Sequence, residues 1–134
     1  MPSEVALDEL RLRLREVSDL SAASSVLHWD QTPFMPVGGA LSRSRQLALL
    51  GRLGHERATD PELGVLLDRL MPYAESLPSG HDDRALIEVA QRDFDLAIRV
   101  PAEFSERAAE HMSTTYAAWA VSYTHLPLPT SDLV

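Results

Sequence analysis

The segment His55-Glu56-Arg57-Ala58-Thr59 comes nearest, in this chain, to a set of side chains able to do hydrolytic chemistry. In an H-E-x-x-H helix, two histidines one turn apart present both imidazoles to a zinc ion, and the glutamate beside the first polarises the attacking water. Here the position that must be the second histidine is Thr59, a poor zinc ligand. The remaining histidines are His28, His81, His111 and His125, and none lies four residues from another. Cysteine is absent, so no thiolate can substitute, and disulfides and thiol catalysis are excluded. The chain is therefore expected to hold no metal site and no cofactor, and His55-Glu56 to be a structural pair on or inside a helix. Spacing places no nucleophile–base pair and no carboxylate pair elsewhere.

A second candidate is the block His28-Trp29-Asp30-Gln31-Thr32-Pro33-Phe34-Met35-Pro36-Val37-Gly38-Gly39-Ala40. Pro33 and Pro36 fix their own φ and push Thr32 and Met35 away from helical geometry. Gly38 and Gly39 permit left-handed backbone or close approach. The block is expected to form a rigid loop from Trp29 to Gly39, carrying Trp29, Phe34 and Met35 with Asp30 at its mouth. Trp29, Asp30, Met35 and Arg43 are the candidate substrate-cleft residues. Each also has an ordinary role: Asp30 capping N–H groups of its own loop, Trp29 and Met35 in a core, Arg43 and Arg45 on the surface. Asp82-Asp83 complements a helix dipole, and Arg92, Asp93 and Asp95 form a mixed charged face that is solvated or paired with a neighbouring helix.

Leu27-His28-Trp29-Asp30-Gln31-Thr32, Met35-Pro36, Gly38-Gly39-Ala40, Arg43, Gln46-Leu47-Ala48 and Leu50 are followed by Leu53-Gly54-His55-Glu56 and Thr59-Asp60-Pro61-Glu62-Leu63-Gly64. Arg92-Asp93-Phe94-Asp95, Val100-Pro101-Ala102-Glu103-Phe104, Ser113 and Ala118-Trp119 come next. In order and spacing these pieces resemble the thermostable (Taq-type) carboxypeptidases, the M32 family, from about Val17 to Ala120. The resemblance implies a metallopeptidase that removes single residues from peptide C-termini. In that family the metal motif lies beyond the reach of this chain. The resemblance thus implies the N-terminal part of a longer enzyme, packed beside and partly over the peptide cleft. Zinc or another divalent metal, and the peptide substrate, then belong to the full-length protein, and the resemblance also implies a homodimer.

At 134 residues the chain has one domain's worth of sequence, 45% hydrophobic and 24% charged. A net charge of −8 argues against nucleic acid, which demands a basic face, and against anionic membrane surfaces. All twelve basic residues are arginine, which with the many Ala, Leu and Gly residues is the composition of a GC-rich bacterial genome. With Glu4, Asp8 and Glu9 near its start no signal peptide is expected, and no apolar run is long enough to span a bilayer, so the expected location is the cytoplasm.

The periodicity is helical throughout. Ser3 is the expected N-cap of a helix running to about His28, with Leu7, Leu10, Leu14 and Val17 on one face. A second helix covers about Ala40 to Ala58, with Leu47, Leu50 and Leu53 inward. Asp60-Pro61 signals the start of a third, to about Ser76, burying Leu63, Leu66, Leu67 and Leu70, with Pro72 kinking or shortening it. A fourth spans about Asp82 to Arg99 with Leu86, Val89, Ala90 and Ala97 inward. The fifth runs from Pro101 through Phe104, Ala108 and Met112 to about Trp119. The expected architecture is an all-α bundle of about five helices, a fragment of a larger, mostly helical zincin-like fold.

From Val121 to Val134 the character changes: Pro127 and Pro129 stop a helix, and Asp132 is the only charge after Glu110. The string Ser122-Tyr123-Thr124-His125-Leu126 with Leu128-Pro129-Thr130 resembles a translated sequencing-adapter tail. Residues 1–120 are accordingly expected to form the helical region, and 121–134 a non-native or disordered tail. The alternative to an inactive metallocarboxypeptidase fragment is a stand-alone, non-catalytic helical interaction module.

Overall fold

The computed structural model describes residues 2–31, 33 and 35–125. Among them are five α-helices and no strand: α1 Pro2–Gln31, α2 Ala40–Ala58, α3 Pro61–Ser76, α4 Asp82–Ala97 and α5 Ala102–His125, with a 3₁₀ turn at Val37–Gly39. The all-α expectation holds. No helix among the described residues is long and apolar enough to cross a membrane.

The ends of α2 and α3 fall where the sequence places them. Asp60 caps α3, its carboxylate accepting from the Glu62 amide at 2.9 Å, and Pro61 sits at the first helical position where no N–H is needed. Pro72 is accommodated inside α3, which continues to Ser76. Other boundaries differ. Helix α1 starts at Pro2, so Ser3 lies within its first turn, and it continues through Trp29 and Asp30 to Gln31. Helix α5 runs past Trp119 to His125. The part of the expected tail from Leu126 to Val134 lies outside the described residues, as do Thr32 and Phe34.

The main core joins the first half of α1 to α3 and α4. Ala6, Leu7 and Leu10 meet Leu63, Leu66, Leu67, Leu70 and Ala74 of α3, and Ile87 and Ala90 of α4, with Leu14, Leu86 and Phe94 at its margins. Each buried leucine contributes about 1.5–3 kcal/mol through removal of apolar surface from water. A Cβ on Gly64 would lie 2.8 Å from Cζ of Phe94, so glycine lets that ring lie against α3 in its present position.

The second half of α1 packs on α2, which in turn packs on α5. This contact uses small side chains. A Cβ at Gly51 of α2 would stand 3.1 Å from Cβ of Ala109 and 3.4 Å from the carbonyl oxygen of Ser105. The face of α5 turned to α2 is therefore Ser105, Ala109 and Ser113, and Ser113 is fully buried. Phe104 and Met112 are 63% and 62% exposed, one position round the helix from the true contact. In α4, Ala90 is buried and Leu86 packs at the margin of the core, as expected, while Val89 is exposed and Ile87 is the fully buried residue. In α2, Leu47 is buried, with Leu50 and Leu53 only partly so. Hydrophobic periodicity marks a face by its largest apolar residues, whereas close helix packing selects the smallest.

Polar ties run between the helices. The Arg13 guanidinium of α1 donates to Glu9 at 2.7 Å, to Asp60 at 3.0 Å and to Glu62 at 2.9 Å, joining α1 to the first turn of α3. The hydrogen bond to Glu62, then that to Glu9, hold Arg13 charged above its ordinary range, against a small opposing cost of burial. Arg11 reaches Asp83 at 2.7 Å, fixing the N-terminus of α4. These groups are partly exposed, so each pair contributes no more than about 1 kcal/mol.

Replacing Leu67 by alanine is expected to lower the unfolding free energy by about 2–5 kcal/mol, while Met112→Ala leaves it within about 0.5 kcal/mol. Urea denaturation followed by circular dichroism separates the two. Equal losses would overturn the assignment of the α5 contact face.

Candidate functional site

The four candidate cleft residues lie where α1 ends, the chain turns, and α2 begins. Arg43, in the first turn of α2 with a side chain only 14% exposed, organises this corner. Its Nη2 donates to Oδ2 of Asp30 at 2.8 Å, its Nη1 to the Leu27 carbonyl at 2.7 Å, and its Nε to Oε1 of Gln46 at 3.3 Å. A cation beside the last turn of α1 also meets the negative end of that helix dipole. The Asp30 side chain thus pairs with an arginine, and it is the Asp30 backbone carbonyl that takes the Met35 amide, at 3.1 Å. That bond satisfies one of the carbonyls left open at the end of α1.

Met35 has left helical geometry, as its position before Pro36 requires, and is half-buried. The Gly39 amide donates to the Pro36 carbonyl at 2.9 Å. No glycine among the described residues has positive φ, so the glycine pair does not serve a left-handed turn. Gly39 serves close approach: a Cβ there would lie 3.2 Å from Cγ of Met35. Asp30, Met35 and Arg43 are therefore brought together. Trp29, in the last turn of α1, is 64% exposed and is not a core residue.

Behind this corner lies a buried polar junction that the sequence does not disclose. Nε2 of Gln31 donates to the Ser113 carbonyl at 3.1 Å and to its hydroxyl at 3.0 Å, and the Ser44 hydroxyl donates to Ser113 Oγ at 3.1 Å. One side chain from each of α1, α2 and α5 meets there, and all three residues are buried. The four-residue spacing of Ser105, Ala109 and Ser113 is the available signal, a small-residue stripe where helix backbones approach.

His55 Nδ1 lies 3.3 Å from the Ser105 hydroxyl, across the α2–α5 contact, and Glu56 accepts from Arg52 at 3.3 Å. The Thr59 hydroxyl donates to the His55 carbonyl at 2.7 Å, back along its own helix. His81 caps α4 through the Asp83 amide, and His111 sits beside Thr115 at 3.4 Å. Among the described residues no three His, Asp or Glu side chains are grouped so as to hold a metal ion. The described residues do not fit a catalytic zinc. With all its donor nitrogens engaged, Arg43 positions the turn.

Two grooves flank the middle of α1. One, of 510 Å³, is lined by α1 from Leu14 to Ser25 together with Ala58, Leu63, Ala90, Asp93 and Phe94. The other, of 340 Å³, runs between α1, α2 and Ser105 of α5. Neither is lined by the four candidate residues.

The sequence model of the family described as Carboxypeptidase Taq (M32) metallopeptidase matches residues 9–124. Thermostable carboxypeptidase 1 of Thermus thermophilus is 31% identical over 113 residues, covering 84% of this chain and 21% of the relative. Thermostable carboxypeptidase 1 of Pyrococcus furiosus is 29% identical over 114 residues, covering 84% and 22%. The chain spans about a fifth of the length of these curated relatives. No solved structure gives a significant match.

Arg43→Ala is expected to destabilise the fold by about 1–3 kcal/mol, because it leaves Asp30 and the Leu27 carbonyl without their donor. Arg43→Lys should recover only part of that loss, since an ammonium cannot span the same acceptors. Thermal unfolding of the two variants tests this, and full recovery by lysine would contradict it. Exhaustive dialysis against EDTA is expected to leave the melting temperature unchanged, with no stoichiometric zinc found by elemental analysis. One tightly held zinc per chain would refute the assignment of His55-Glu56 as structural.

Proposed function

The chain belongs to the Carboxypeptidase Taq (M32) metallopeptidase family, and from that membership we propose that it is the N-terminal helical part of a metallocarboxypeptidase, without hydrolytic activity alone. The observation that carries this reading is the family match along 9–124, in a chain whose one near-motif for metal hydrolysis has Thr59 in place of a histidine. The zinc and the groups that activate water belong to a part of the enzyme that this chain does not match. The substrate is a peptide, shortened by single residues from its C-terminus, in the cytoplasm, and the full enzyme is a homodimer.

Within that enzyme this region encloses the substrate. Arg43 sets the angle between the end of α1 and the start of α2 through Asp30 and the Leu27 carbonyl. Trp29, carried on the last turn of α1 and exposed, offers an aromatic face to the peptide, with Met35 beside the turn. That arrangement supports a positioning role for Arg43 and a contact role for Trp29. Neither touches the reacting atoms.

A chimera tests this reading. Residues 9–124 replace the matching fifth of the Thermus thermophilus relative, and release of the C-terminal residue from N-blocked dipeptides is followed with Zn²⁺ or Co²⁺. The chain alone is expected to release none, and the chimera to be active. A Trp29→Ala chimera is expected to raise KM several-fold with little change in kcat, the mark of lost binding common to ground and transition states. A folded, metal-loaded chimera without activity, or metal-dependent hydrolysis by the chain alone, would overturn the proposal.

A further inference from the structure

We draw no further inference here: the strongest candidate, the 510 Å³ groove floored by Ser18, Ser21, Ala22 and Ser25 of α1 and walled by Leu63 and Phe94, is an unfilled face, and nothing in the structure shows what covers it.

Discussion

Everything in this fold hangs on the unbroken length of α1. At 30 residues it extends about 45 Å, whereas α3 and α4, at 16 residues each, reach about 24 Å. Neither of those helices can cover α1 from end to end. The chain therefore uses α1 as a common wall, with α3, backed by α4, against its first half and α2, backed by α5, against its second. The sequence of α1 matches this division. Leu7, Leu10, Leu14 and Val17 make an apolar stripe, and the same helical face continues as Ser21, Ser24 and His28. Where the leucines end, burial of large side chains gives way to close approach of small ones.

The two halves consequently hold by different means. In the first, ten buried apolar residues form one cluster, and arginines secure its margins. In the second, the buried set is Leu47, Ala48 and the polar Gln31, Ser44 and Ser113. A buried amide and two hydroxyls stabilise a contact only when their partners are in place, because an unsatisfied group costs about as much as several good contacts contribute. That requirement fixes the rotation of α5 about its axis more sharply than apolar burial would. It also accounts for the outward position of Phe104 and Met112: turning them inward would break the Gln31–Ser113–Ser44 junction and force large side chains against Gly51.

How much of this was legible in the sequence depended on whether a signal was local. The Asp60-Pro61 start, the leucine face of α3 and the limits of α2 are set by residues acting within one or two turns, and the sequence discloses them. Helix α1 runs on past its expected end, since Trp29, Asp30 and Gln31 carry no helix-breaking chemistry. They stay helical through the Met35–Asp30 backbone bond and the Arg43 clamp, both made by residues further along the chain. On α4 the sequence discloses Ala90 but not the exposure of Val89, and the α5 contact stays hidden, since a periodicity of large apolar residues cannot report a contact made by serine, alanine and glycine. The candidate residues Asp30, Met35 and Arg43 do come together. The sequence places Asp30 and Arg43 near one turn without disclosing that they pair, because thirteen residues and that turn separate them.

The fate of His55-Glu56 illustrates why a motif is a statement about geometry as well as residue types. In an H-E-x-x-H helix the second histidine must stand on a helix that continues, so that both imidazoles project from one face. Here α2 ends at Ala58. Thr59, with φ −112° and ψ 12°, has already left helical geometry, and its amide and hydroxyl both turn back to the His55 carbonyl. Asp60 and Pro61 immediately begin α3 in a new direction. A histidine placed at 59 would keep the amide bond to the His55 carbonyl and lose the hydroxyl bond, and would stand at a helix end, while His55 faces Ser105 across the α2–α5 contact. The region is built at this point to turn the chain from one half of α1 to the other, and that task uses the same residues a metal site would need.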